Sequence, residues 1–274
     1  MPRKLWYSDH YPHIPRFTLS ALQSDRAAKK AWVHTLLSEG IALVTDMPDT
    51  DQALEDAAFL IGVPRPSFFG LYFDVNLHPK PDNLAYTAKA LELHTDVPSE
   101  DLPPGVQFLH CRANSAEGGE SLFVDGAAVA AELRRTHPED FTLLCETLVP
   151  FYDEHDAYDM RARQRVIELD GQGDISGVTI SQHMADVFDM DQRFLDRFYP
   201  AFCRFGRLLQ NPRFLMRFRL NAGECIVFDN HRIVHGRAAF KAGSGARHLR
   251  GTYTDRGELR SAWRVLSEKG RFQP

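Results

Sequence analysis

The chain has few cysteines, and Cys111, Cys145, Cys203 and Cys225 stand far apart with no CxxC spacing. That pattern excludes a cysteine-built zinc site and a disulfide scaffold. Apolar neighbours, as in "LLCETL" and "GECIVF", point to buried reduced thiols. No run of eighteen or more apolar residues occurs, so a membrane-spanning helix is not expected. The opening "MPRKLWYSDHYPHIPRF" is too polar and too rich in proline for a signal peptide, and the cytoplasm is the expected location. A basic block is missing too. With 32 Lys and Arg against 37 Asp and Glu the net charge is −5, whereas phosphate binding calls for clustered cations, so a nucleic-acid surface is not expected. A small molecule is the expected partner. There is no repeat, low-complexity tract or linker, which predicts one domain over 1–274.

What is present is an ordinary globular composition with a change of period along the chain. Residues 24–40 open with capping residues, carry apolar positions at helical spacing and stop at Gly40, which predicts an amphipathic helix. "IALVTDM" reads as a short buried strand, and Asp51 is placed to cap a second helix ending at Gly62. An N-terminal helical layer over about 20–65 follows. From Asn83 onward "NLAYTA", "LELHTDV", "GVQFLHCRA" and "ESLFVDG" are short apolar or alternating segments between turn residues, hence strands. Asp125 caps a helix, Pro138 starts another, and "RVIELD" and "GVTISQH" read as strands around the turn "DGQGD". The aromatics of "MDQRFLDRFYPAFCRFGRLLQN" fall at helical spacing and read as core. "FLMRFRL", "GECIVFD", "HRIVHGR" and "RHLRGTYTD" close the β core, which spans about 83–260. The class is mainly β with flanking helices (α+β).

Within "ALELHTDVPSEDLPPGVQFLHC" an apolar run contains His94 and Asp96, two residues apart. On a strand such a pair shares one face, about 7 Å apart along the chain, and two ligands can then meet one ion. Such a pair also arises as a core histidine held by a carboxylate, so a third partner decides. His235, just before Gly236 on a late strand, can reach an early strand in a β sandwich. Two imidazoles and one carboxylate on one side of a metal leave the other side open, which suits Fe(II) that must take up a cosubstrate and oxygen. Twelve residues later Arg247 could clamp a carboxylate through two parallel hydrogen bonds. The acidic loop "PSEDLPPG" after Asp96 reads either as a lid over the substrate or as a solvated turn.

The stretches "NLAYTAKALELHTDVP", "PPGVQFLHC", "GGESLFVDG", "FDNHRIVHGR" and "RHLRGTYTD" fall in an order and spacing that resemble the Fe(II)- and 2-oxoglutarate-dependent dioxygenases of the taurine dioxygenase group. The resemblance runs from about Leu5 to Arg260 and is closest to the catalytic domain of gamma-butyrobetaine and trimethyllysine dioxygenases. It implies a double-stranded β-helix, a jelly roll with helices packed on one side. It implies His94, Asp96 and His235 as iron ligands, with Arg247 and Ser121 on the distal carboxylate of 2-oxoglutarate. Oxygen and 2-oxoglutarate would be consumed to hydroxylate an unactivated C–H bond of a small substrate, with succinate and carbon dioxide released. An aromatic cage of Phe69, Phe73, Tyr86 and Tyr253 would hold a trimethylammonium group by ring faces, although Phe69 and Phe73 also read as plain core. The stretch "TISQHMADVFD" departs from the relatives by lacking their paired asparagines, so the end of the substrate opposite the cation is expected to differ. Those relatives carry an N-terminal zinc domain. No cysteine cluster precedes His94, and no such domain is expected here. The family often forms dimers, which makes a homodimer the expected assembly. Two alternatives stay open: a same-fold oxygenase acting on another amino acid, sulfonate or natural-product intermediate, and a metal-binding β-barrel without turnover.

Overall fold

The structure, a computed structural model, describes residues 3–77 and 84–268. Fourteen strands are present among the described residues: β1 (Arg16–Thr18), β2 (Ile41–Thr45), β3 (Phe73–Val75), β4 (Leu91–His94), β5 (Val106–Asn114), β6 (Ser121–Asp125), β7 (Leu148–His155), β8 (Tyr158–Arg165), β9 (Ile167–Leu169), β10 (Ile175–Val178), β11 (Met216–Phe218), β12 (Cys225–Asp229), β13 (Ile233–Arg237) and β14 (Arg247–Thr254). Seven α-helices accompany them among the described residues: α1 (Leu19–Ser24), α2 (Arg26–Ser38), α3 (Asp51–Phe59), α4 (Gly126–Thr136), α5 (Pro138–Glu146), α6 (Gln192–Leu209) and α7 (Arg256–Ser267).

A six-stranded sheet in the order β1-β2-β12-β5-β14-β3 faces a four-stranded sheet in the order β11-β6-β13-β4, with β7–β8 and β9–β10 as separate two-stranded pairs. Alternation along the strands builds the layers. In β12, Ile226 and Phe228 point between the sheets, joining Leu43, Phe123, Phe218 and Leu249, while Cys225 and Val227 point outward against Trp32, Leu36, Leu54 and Leu259 of the helices. The other sheet buries Val124 and Val234 against Val129, Leu144, Phe198 and Phe205 of α4, α5 and α6. Each fully buried large apolar side chain contributes about 1.5–3 kcal/mol. Helices therefore cover both outer faces of the sandwich, not one: α1, α2, α3 and α7 lie over the larger sheet and α4–α6 over the smaller.

Local differences from the sequence expectations have identifiable causes. Thr50, not Asp51, caps α3, its hydroxyl accepting from Ala53 N at 3.2 Å, and Asp51 instead pairs with Arg112 at 2.8 Å. The segment expected as the strand "NLAYTA" is a short 3-10 turn over Leu84–Tyr86, and Asn83 lies outside the described residues. Cys111 and Cys225 are buried, but Cys145 and Cys203 are partly exposed, and all four are unbridged.

Candidate functional site

The site begins with strand register. β13 lies between β6 and β4, and its antiparallel pairing with β4 sets His235 directly opposite His94, bringing the ring centroids to 4.4 Å. Asp96 arrives differently from expected. The strand ends at His94, and the backbone then turns sharply, with Val97 at φ 56°, a left-handed conformation that a β-branched residue rarely adopts. Such strain persists where the surroundings fix it, and here Asn230 does so. Its side-chain oxygen accepts from Asp96 N at 2.7 Å, and its amide donates to the carbonyls of Asp96 and Pro104, each at 3.0 Å. The outcome is that Asp96 Oδ1 stands 3.2 Å from His94 Nε2 and 3.5 Å from His235 Nε2. The three donor atoms lie within 4.8 Å of one another, the one such cluster of His, Cys, Asp and Glu among the described residues.

Electrostatics suit a cation. His94 Nδ1 lies 2.8 Å from the carbonyl of Glu92, a group that only accepts, which fixes the ring's orientation and turns Nε2 inward toward Asp96. Burial, with His94 alongside, pulls His235 down to about 3, so its imidazole is neutral at physiological pH. Burial alone would raise Asp96, but the polar groups around it, the Tyr253 hydroxyl among them, outweigh it and hold the carboxyl below the usual range. Two imidazole nitrogens and one carboxylate oxygen converge.

The same cavity, about 110 Å³ in volume, is lined by every residue expected at the site: His94, Asp96, Ser121, His235, Arg247, Phe69, Phe73, Tyr86 and Tyr253. Arg247 opens β14 and is buried with no carboxylate partner among the described residues; its Nε has no hydrogen-bond partner. Burial and the neighbouring Arg237 pull it down only to about 10, so it remains a cation. A buried charge without a counter-charge is costly, so this corner is suited to an anion. Ser121 begins β6 on the same cavity wall. Gly119 makes the close approach possible: it has φ 73°, and a Cβ there would stand 3.3 Å from Arg247 Nε.

The four aromatics share the wall in unequal ways. Phe73 stacks on Tyr253 at 5.1 Å and 28° and meets Phe69 at 6.2 Å. Phe73 reaches this position by crossing Gly251 on the paired strand β14, where a Cβ would sit 2.3 Å from its ring. Tyr86 is carried by the 3-10 turn, which Arg237 ties down by donating to the carbonyls of Ala85, Thr87 and Lys89 at 2.9, 2.7 and 2.8 Å. Tyr253 is more than a ring face, because its hydroxyl donates to Asp96 Oδ2 at 2.7 Å.

Asn230, Arg237, Asp153 and His183 are site residues that the sequence did not single out. The first two lie inside the quoted stretch "FDNHRIVHGR", where a turn and a strand end disguised them; Asp153 and His183 line the cavity from β7 and from the segment after β10. The loop after Asp96 is not an exposed lid. Among its residues only Asp101 and Leu102 are exposed. Glu100 pairs with Arg65 at 2.6 Å, Gln164 donates to the carbonyl of Glu100 at 2.9 Å, and His231 lies 3.0 Å from that of Pro103.

Residues 8–253 match the family model described as taurine catabolism dioxygenase TauD, TfdA family. Gamma-butyrobetaine dioxygenase of Pseudomonas sp. (strain AK-1) is 39% identical over 253 residues, covering 92% of this chain and 66% of that protein. The human gamma-butyrobetaine dioxygenase is 32% identical over 253 residues, covering 90% of this chain and 65% of the relative, so the chain spans just under two thirds of each. Among solved structures, a putative alpha-ketoglutarate-dependent taurine dioxygenase from Burkholderia xenovorans superposes with a TM-score of 0.65 at 14% identity, covering 92% of this chain and 91% of that one. A structure of AAD-2 in complex with Mn(II) and N-oxalylglycine gives 0.67 at 14% identity, covering 84% and 90%. The two facing sheets are therefore a double-stranded β-helix that does not close into a barrel. The chain belongs to the taurine catabolism dioxygenase TauD, TfdA family.

Proposed function

We propose that this protein is an Fe(II)- and 2-oxoglutarate-dependent dioxygenase that hydroxylates a C–H bond of a small substrate bearing a quaternary ammonium group. The observation that carries this is the meeting, in one cavity, of a two-histidine, one-carboxylate cluster, a buried guanidinium without a counter-charge, and a wall of aromatic rings.

His94, Asp96 and His235 would hold the iron, since two imidazoles and one carboxylate on one side fit a metal that keeps positions open. Iron bound there, with 2-oxoglutarate and oxygen, supplies the oxidising power for C–H cleavage. The chain does the rest. Arg247 would hold the distal carboxylate of 2-oxoglutarate, with Ser121 beside it, and so set the cosubstrate's direction. Val97, Leu109, Phe123 and Leu249 line the cavity and keep water from the reacting carbon. A trimethylammonium group cannot donate hydrogen bonds and is best held by the ring faces of Phe69, Phe73, Tyr86 and Tyr253. The name of the relatives in bacteria and man, gamma-butyrobetaine dioxygenase, supports the same substrate class.

Gamma-butyrobetaine itself is one candidate among several. Apart from Arg247, the one guanidinium lining the cavity among the described residues is Arg237, and it is already bonded to three carbonyls. Asp153 and His183 stand on the wall instead, and burial with His94 nearby pulls His183 down to about 4, so it is neutral.

The test is oxygen uptake and succinate release with Fe(II), 2-oxoglutarate and a panel of trimethylammonium compounds, neutral amino acids and sulfonates. Trimethylammonium compounds should stimulate turnover, and His94→Ala or His235→Ala should abolish it in a chain that still folds. Stimulation by neutral compounds alone would overturn the substrate class. Metal binding without any 2-oxoglutarate consumption would leave a non-catalytic metal protein.

A further inference from the structure

Tyr253 touches two parts of the site at once. Its ring stacks on Phe73 in the cavity wall, and its hydroxyl donates to Asp96 Oδ2 at 2.7 Å. The two oxygens of Asp96 are thereby distinguished: Oδ1 faces both histidine nitrogens, and Oδ2 faces a phenol. A carboxylate with only one oxygen committed can rotate or offer both oxygens to an ion. One whose second oxygen accepts a directed hydrogen bond presents a single donor in a fixed direction. Asn230 holds the Asp96 backbone and makes no bond to its side chain, so the phenol is the hydrogen-bond partner that fixes Oδ2 and leaves Oδ1 to the histidines. Tyr253 is suited to that task, being buried at 1% exposure on β14, which is paired on both sides, by β5 and β3.

We propose that Tyr253 is a positioning residue of the metal centre: its hydroxyl sets Asp96 with Oδ1 toward the ion, and its ring joins that ligand rigidly to the substrate wall. This rests on His94, Asp96 and His235 being the metal triad. Two consequences separate it from a ring that only packs. Removing the hydroxyl should weaken metal binding even when the ring is kept, and it should alter the ligand field of a bound ion.

The experiment uses Co(II) as the probe with the full chain, comparing the wild type with Tyr253→Phe and Tyr253→Leu by calorimetry and visible absorption. Outer partners of metal ligands typically contribute 10–100-fold in affinity. Both variants are therefore expected to bind Co(II) about 10–100-fold more weakly, with a changed Co(II) absorption band in Tyr253→Phe. The rise in melting temperature on adding Co(II) should be smaller in Tyr253→Phe than in the wild type, a comparison that holds even if the metal-free variant is less stable. Should Tyr253→Phe bind as tightly as the wild type with the same band, the positioning role is overturned while the triad stands. Weak binding by Tyr253→Leu alone would assign the effect to the ring and overturn the role as well. A wild type that binds no Co(II) removes both the triad and the role.

Discussion

At the scale of single residues, charge and hydrogen-bond direction decide what the cavity can hold. That His94, Asp96, His235 and Arg247 share one cavity was foreseeable from the sequence, the first three from polar residues set in apolar runs and Arg247 only from its conjunction with them. The way Asp96 is presented was not legible. The spacing of two suggested a shared strand face, whereas the carboxylate is delivered by a turn through Val97 that Asn230 holds from 134 positions away in the chain. The hydroxyl of Tyr253 was hidden for a similar reason: an aromatic is visible in a sequence, but the direction of its polar tip depends on the registry of β14 with β5 and β3. Arg247 gives a direct test at this scale. Losing a desolvated, charge-assisted bidentate contact costs roughly 2–4 kcal/mol. Arg247→Met should therefore weaken 2-oxoglutarate binding by about 30- to 1,000-fold, read as the cosubstrate concentration needed for half-maximal succinate release. An unchanged cosubstrate requirement would show that the distal carboxylate binds elsewhere.

Whole elements account for the positions that no residue type announces. β4, β5, β6, β12, β13 and β14 all emerged from alternating or apolar runs, because buried strands leave a period in the sequence. The β7–β8 hairpin did not. Its sequence, "LVPFYDEHDAYDMRARQR", is polar with a proline near its start, since the pair stands outside both main sheets and buries few of its residues. α7 escaped notice for the same reason, burying only Leu259 and Leu266 of its twelve residues. The pairing of β14 with β3 yields a test of the aromatic wall. Phe73 occupies the space over Gly251 that a side chain would fill. Gly251→Ala should push the Phe73 ring away from Tyr253, raising the KM for a trimethylammonium substrate several-fold and leaving 2-oxoglutarate affinity unaltered. Equal effects on substrate and cosubstrate would mean that the strand, and not the ring, had moved.

For the molecule as a whole, one buried ion pair ties the layers together. Arg232 is 1% exposed and donates to both oxygens of Asp125, at 3.0 and 2.8 Å, at the corner where β6 turns into α4. It also donates to the carbonyls of Ser38, at the end of α2, and Lys4, in the N-terminal segment, each at 2.7 Å. Asp125 in turn caps α4 through Ala127 N at 3.1 Å and accepts from Trp6 N at 3.2 Å. One guanidinium thus satisfies groups from three separate parts of the chain, three residues before His235. A buried pair with this many hydrogen bonds is expensive to break from one side, because the remaining charge and carbonyls stay buried without partners. Arg232→Met keeps most of the volume and removes every one of these bonds, so it should lower unfolding stability by about 3–5 kcal/mol. Replacing Arg232 and Asp125 together by Met and Leu removes the orphaned charge, and it should cost less than the two single losses combined, apart from the lost cap of α4. Urea unfolding of the wild type, both single variants and the double variant measures this coupling. A loss below about 1 kcal/mol in Arg232→Met, within the range of an exposed pair, would show that the layers are held by apolar packing alone.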